Sequence, residues 1–139
     1  MFAHDAVEVP CPFDTVATRL RSPGWLRTIW ETAIQRTAPA SDHHADLGHS
    51  FQIGQPRTHA GSLLIPVYWE VGCDGTPAVA IDGDLEATPV DDVNTRLRLS
   101  ATYAPPGSVD SAGCHALATA SVSDALAGIA ASLDRGATP

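Results

Sequence analysis

The sequence is short of the residues that staple a chain, steer it to a polyanion or anchor it in a membrane. Three cysteines in 139 residues, Cys11, Cys73 and Cys114, are far apart, odd in number and form no C-x-x-C pair. That excludes a disulfide framework and points to a reduced, intracellular setting. Lys and Arg number only 8 against 16 Asp and Glu, for a net charge of -8. Such a balance disfavours electrostatic binding to nucleic acid or to anionic lipid. No apolar stretch approaches the roughly 20 residues of a membrane helix, so no membrane insertion is expected. The start, Met1-Phe2-Ala3-His4-Asp5, lacks a basic region followed by an apolar run. No signal peptide is therefore expected, and the predicted location is cytoplasmic.

What is present suits a globular domain. Hydrophobic residues make up 44% and charged residues 17%, outside the range of disordered chains. The length fits one domain, which buries about two-thirds of its unfolded surface. A single domain over 1–135 is expected, with 136–139 as a frayed tail. Residues 2 to 9 read as a first strand, ended by Pro10 and Pro12. Phe13, Val16 and Leu20 recur at helical spacing. Ser22-Pro23-Gly24 restarts the pattern, with Ser22 as a cap and Pro23 at the first helical position, where its missing N–H costs nothing. Trp25, Leu26, Ile29 and Trp30 form the apolar face of this second short helix. Residues 35 to 48 are the least readable part and look like loop.

From 49 to 104 the pattern is one of strands joined by tight hairpins, and register is the strongest signal. A side chain changes face at every residue, so a wrong loop length mixes apolar and polar faces. A three-residue loop at His59-Ala60-Gly61, with Gly61 left-handed, sets Phe51 opposite Trp69, Ile53 opposite Val67 and Gln55 opposite Ile65. A similar loop at Cys73-Asp74-Gly75 sets Trp69 opposite Val79, Val67 opposite Ile81 and Leu63 opposite Leu85. A turn around Asp91-Asp92-Val93 sets Leu85 opposite Leu99, Ala87 opposite Leu97 and Ile81 opposite Tyr103. On the other face it pairs Glu86 with Arg98. Pro66 inside its strand marks an edge or a bulge. Pro105-Pro106-Gly107 stops the last strand. A helix over about 111–134 follows, with Val122, Leu126, Ile129 and Leu133 on one stripe and alanine filling much of the rest. Arg135-Gly136 closes it.

The order is strand, two short helices, antiparallel meander, long C-terminal helix. With the runs Ile65-Pro66-Val67-Tyr68-Trp69, Ile81-Asp82-Gly83-Asp84-Leu85-Glu86, Thr95-Arg96-Leu97-Arg98-Leu99 and Tyr103-Ala104-Pro105-Pro106-Gly107, it resembles the SRPBCC superfamily of START and birch-pollen-allergen-like, helix-grip proteins. Within it, the chain looks like uncharacterised bacterial polyketide cyclase/dehydrase-like members. The resemblance implies an α+β fold in which a curved antiparallel sheet wraps around the C-terminal helix. The superfamily has typically seven strands, of which five are placed here. It includes lipid carriers, plant ligand binders and polyketide aromatase/cyclases, and it shares no catalytic motif.

The expected site is a cavity between sheet and helix; the alternative is a fully packed core. Candidate ligand-contacting residues are Trp69, Tyr103, Trp30, Phe51, Val67, Ile81, Leu99 and Val122, each of which also reads as core. Trp69 and Tyr103 are large apolar bodies with one polar atom needing a partner when buried. Strand parity puts His49, Gln55 and Arg57 on the inward face, where Arg57 can meet a carboxylate or enolate oxygen. His115, seven residues before Val122, falls on the inward helix stripe as a hydrogen-bonding group or general base. His43, His44 and His49 match no metal-ligand spacing, and no metal or cofactor is implied. Asp82, Asp84 and Glu86 share the outer face with Arg96 and Arg98 and read as a solvated surface. Three functions follow: a binder or carrier of a small apolar or aromatic molecule, the leading reading; a polyketide cyclase-like enzyme using His115, Arg57 or Tyr103; and an interaction module. The last would homodimerise through an outer-face patch of Leu64, Tyr68, Ala78 and Ala80. No motif names a reaction.

Overall fold

The computed structural model describes residues 2–37, 51–71, 79–103 and 111–137. Of the loop expected over 35–48, residues 35–37 are helical instead, and the remainder, with His43, His44 and the neighbouring His49, falls outside those residues, as do the Cys73 turn and the Pro105 stop. Six strands and three helices are described: β1 Phe2–Val9, α1 Phe13–Leu20, α2 Pro23–Thr37, β2 Gln52–Ile53, β3 Arg57–His59, β4 Ser62–Val71, β5 Val79–Pro89, β6 Thr95–Tyr103 and α3 Ser111–Ala137. The sheet is antiparallel in the order β1-β6-β5-β4-β2, with β3 also paired to β4.

Alternation decides the layers. Along β4, Leu63, Ile65, Val67, Trp69 and Val71 are buried while the residues between them are half-buried. β6 repeats the pattern with Thr95, Leu97, Leu99, Ala101 and Tyr103 inward. Helices α2 and α3 cover that inward face, and α3 packs chiefly against α2 and β1. The predicted stripe of Val122, Leu126, Ile129 and Leu133 is buried, with Ala118, Ser121 and Ala125 between. Gly128 marks the crossing of α3 over α2, since a Cβ there would sit 3.2 Å from Ile29 Cγ2. Ser22 accepts the first helical bond of α2 from Leu26 N at 3.2 Å, and Pro23 opens the helix as the sequence indicated. Helix α3 runs on through Arg135 and Gly136 to Ala137, past the stop expected there.

The three predicted hairpins fare differently. β5 and β6 pair as expected, with Leu85 opposite Leu99, Ala87 opposite Leu97, Ile81 opposite Tyr103 and Glu86 opposite Arg98. β4 and β5 are displaced by two residues, so Trp69 faces Ile81, Val67 faces Gly83 and Ile65 faces Leu85. A two-residue slip preserves every side chain's face, so alternation cannot detect it. At Gly83 a Cβ would meet Ser100 O at 3.0 Å and Ala101 Cβ and Trp69 Cζ3 each at 3.4 Å, so this crowded position takes a residue without a side chain.

The first hairpin carries a change of face. β2 has the predicted register, Ile53 opposite Val67. β3 does not, because Arg57 pairs with Leu64 and His59 with Ser62. Three residues, 54–56, separate Ile53 from Arg57, against two, 65–66, between Val67 and Leu64. The extra residue is a bulge, and it inverts the parity of everything after it. It sits across from Pro66, whose O accepts from Gly54 N at 2.7 Å and whose missing N–H is harmless there. The turn is then two residues, not three, with Ala60 at φ 51° and Gly61 at φ 84°, as a type I′ turn requires.

One expectation about composition is corrected. Among the described residues, His115–Asp134 is long and apolar enough to cross a membrane, at a mean hydropathy of 1.4. Alanine supplies much of that value, and in this fold the helix's bulky stripe faces the sheet and α2.

Candidate functional site

The inner face carries three aromatic rings in contact. Trp30 from α2 lies over Phe51 at 5.1 Å between centroids and meets Trp69 of β4 edge-on at 5.2 Å. Phe51 is held by Arg27, one helical turn before Trp30. The guanidinium stands 5.3 Å from the Phe51 ring, and its Nη2 donates to Phe51 O at 3.0 Å. Each indole nitrogen needs an acceptor when buried. Trp69 Nε1 donates to Ser121 Oγ at 3.2 Å, and the Ser121 hydroxyl donates in turn to Ala118 O at 2.8 Å. Trp30 Nε1 is buried with no partner among the described residues. Such an orphan costs about 1–3 kcal/mol.

At the end of β6, the Tyr103 hydroxyl hydrogen-bonds His115 Nδ1 from the first turns of α3. Tyr103 is buried and the His115 ring is exposed, so the pair joins the interior to solvent. His115 lies nearer the water than the inward stripe implied, because the stripe's buried part begins at Ala118.

Val67, Ile81, Leu99 and Val122 lie in the same core cluster as the three rings. Their exposure is 3% or less, and Trp30 and Trp69 are at 0%. A side chain lining a void larger than a water molecule would retain surface against that void. In this conformation these residues therefore pack against one another. Small Ala118, Ser121 and Ala125 on α3 are buried in the same interior, and Trp69 reaches across to Ser121 there.

Arg57 does not join the group. The bulge turns it to the outer face beside Leu64, where it is exposed, and Gln55 is exposed as well. The convergence of His115, Arg57 and Tyr103 is thus limited to His115 and Tyr103. Ser121 and Arg27 were not anticipated as site residues. Ser121 among alanines on a buried stripe was a readable signal for a polar partner inside; nothing local marked Arg27. No group of three metal-ligating side chains occurs among the described residues.

A groove of about 470 Å³ lies on the opposite, outer face, reaching from Phe2 on β1 across Asp82 and Asp84 to Tyr68 on β4 and Gln52 on β2. Tyr68 donates to Glu70 Oε1 at 2.8 Å. That bond, then partial burial, then the charges of Glu70 and Asp82, raise the Tyr68 phenol above its usual range.

Among the described residues, six antiparallel strands, two helices after the first and a long terminal helix across one face define an α+β domain of the helix-grip fold. Solved structures share this arrangement. A conserved protein from Geobacillus kaustophilus matches over 98% of this chain and 97% of its own, at 13% identity and a TM-score of 0.63. The Zhui aromatase/cyclase from Streptomyces sp. R1128 matches over 97% and 94%, at 14% identity and a TM-score of 0.53. The di-domain ARO/CYC BexL of the BE-7585A biosynthetic pathway matches over 100% of this chain and 48% of its own, at 14% identity and a TM-score of 0.56. At such identities the likeness shows the fold. No protein-family model and no curated protein matches the sequence.

Proposed function

We propose that the chain binds a small apolar or aromatic molecule between the sheet and α3, against the Trp30–Phe51–Trp69 wall. The observation that carries this reading is the Trp30 N–H, buried in an apolar interior where the described residues supply no acceptor. Folding alone gives no return for that cost, whereas a ligand oxygen would satisfy it. The packed arrangement is then the empty, closed form. A ligand enters as α2 moves off the sheet, with Arg27 and Phe51 as the contact to be released. The fold is consistent with this, since two of the matching structures are aromatase/cyclases by name.

The test is a thermal-shift screen with naphthols, anthraquinones and hydrocarbons of the same shape, on the native protein and on Trp30→Phe. A ligand at 100 times its Kd stabilises by about 2.7 kcal/mol. Oxygen-bearing compounds should raise Tm in the native protein and lose most of that advantage over their hydrocarbon counterparts in the variant. If no aromatic compound shifts Tm, the reading is wrong.

The Tyr103–His115 pair favours a second reading, a cyclase-like enzyme. A phenol bonded to an imidazole that reaches water can hand a proton to a carbonyl oxygen and recover it from solvent. Turnover of a poly-β-keto thioester by the native protein but not by Tyr103→Phe would support it. Equal turnover, or none, sinks it.

A further inference from the structure

The outer face is laid out in cross-strand rows. One row reads Phe2, Thr102, Asp82, Tyr68, and the next has Ser100 and Asp84 beside Pro66. The row after that pairs Glu86 with Arg98. The charges are therefore unevenly matched. Glu86 has a cross-strand arginine, while Asp82 stands between Thr102 and Tyr68, and Asp84 between Ser100 and Pro66. The groove of about 470 Å³ covers the unmatched part and leaves out Glu86 and Arg98. Its volume is that of a small-molecule site.

The dimensions are also those of a ligand. Asp82 and Asp84 are two residues apart on one strand and point the same way, so their carboxylates stand roughly 7 Å apart. Phe2 and Tyr68 are three strands apart, roughly 14 Å. Phe2, 55% exposed, packs against the His4 ring at 5.3 Å, and Tyr68 is braced by Glu70. The groove thus has an aromatic side chain at either end, two carboxylates in the middle and the hydroxyls of Ser100 and Thr102 beside them.

We infer that this groove is a second binding site, separate from the interior, for a small organic cation: an amine carried on an aromatic body. A carboxylate prefers an ammonium to a neutral donor of the same size, and an aromatic face accepts either a ring or the cation itself. The net charge of -8 adds a favourable long-range field.

The experiment is NMR shift mapping on the full chain with tryptamine, with tryptophol as its neutral counterpart and with spermidine as a cation lacking a ring. Tryptamine should move the amides of residues 82–84 and 100–102. Tryptophol should bind roughly tenfold more weakly, since it lacks the charge-assisted bond. Asp82→Asn with Asp84→Asn should weaken tryptamine by roughly fivefold, the scale of exposed ion pairs. Glu86→Gln and Trp30→Phe should leave it unchanged. Equal binding of tryptophol, equal binding of spermidine, or no shift at all would each overturn the inference. So would shifts confined to the Trp30 and Trp69 region.

Discussion

Two tryptophans in one cluster should respond differently to the same substitution. Trp30 and Trp69 are both at 0% exposure and in edge contact at 5.2 Å. Replacing either by Phe removes roughly three ring atoms from the core, worth about 2 kcal/mol with the cavity included. At Trp69 the change also breaks the 3.2 Å bond to Ser121. Ser121 keeps its bond to Ala118, so the further loss is about 1 kcal/mol. Trp69→Phe should therefore destabilise by about 3 kcal/mol. At Trp30 the same change removes a nitrogen with no partner, relieving about 1–3 kcal/mol. Trp30→Phe should fall near neutral, within about 1 kcal/mol of the native protein. Urea unfolding reads the difference directly, as a separation of midpoints on the order of 1 M at ordinary m-values. If the two variants lose stability equally, the Trp30 N–H has an acceptor after all. A ligand oxygen at that position would then have no unpaired donor to satisfy.

Two other substitutions test the strand connections. Ala60 adopts φ 51°, a conformation that disfavours L side chains by about 1–2 kcal/mol; Ala60→Asn should raise the thermal midpoint by a few degrees, and a lower midpoint would contradict the type I′ turn. At the β5–β6 turn, Asp91 accepts from Val93 N and Asn94 N, each at 2.9 Å, and the Asn94 side chain and these backbone groups hold its pKa below the ordinary value. A carboxylate depressed by folding stabilises above its unfolded pKa and loses that contribution as pH falls through the folded one. The stability gap between native protein and Asp91→Ala, followed by denaturation from pH 6 to pH 2, should narrow towards the acid end. A constant gap would show that the bonds do not depend on ionisation.

How much of this was legible depends on the kind of information each residue carries. Alternation and helical spacing exposed the inward set of β4 to β6 and the α3 stripe, because period alone separates a buried face from a wet one. The β5–β6 register was readable because its turn is local. Bulge and slip were not readable in the same way. Placing the β4–β5 register requires knowing which residues meet across the strands, such as Val67 opposite Gly83, because a slip of two keeps every face. Arg57 was misplaced for a related reason: one additional residue opposite Pro66 inverts the face, and Pro66 announced a disruption without giving its length. Asp82 and Asp84 read correctly as surface. That Asp82 and Asp84 have no arginine opposite them among the described residues, while Glu86 faces Arg98, emerges only when three strands are laid side by side.

By itself, then, the sequence determined the face that each long strand and the C-terminal helix would bury, and hence the layer order of the fold. Tertiary structure decided whether the space behind that face is open or filled. The amount of room is a difference between large volumes contributed by α2, α3 and the sheet together, and no local pattern encodes it. The same packing brought Trp30 against Phe51 and Trp69 and left its nitrogen without an acceptor among the described residues. Which polar atom remains unsatisfied depends on the position of every neighbour at once.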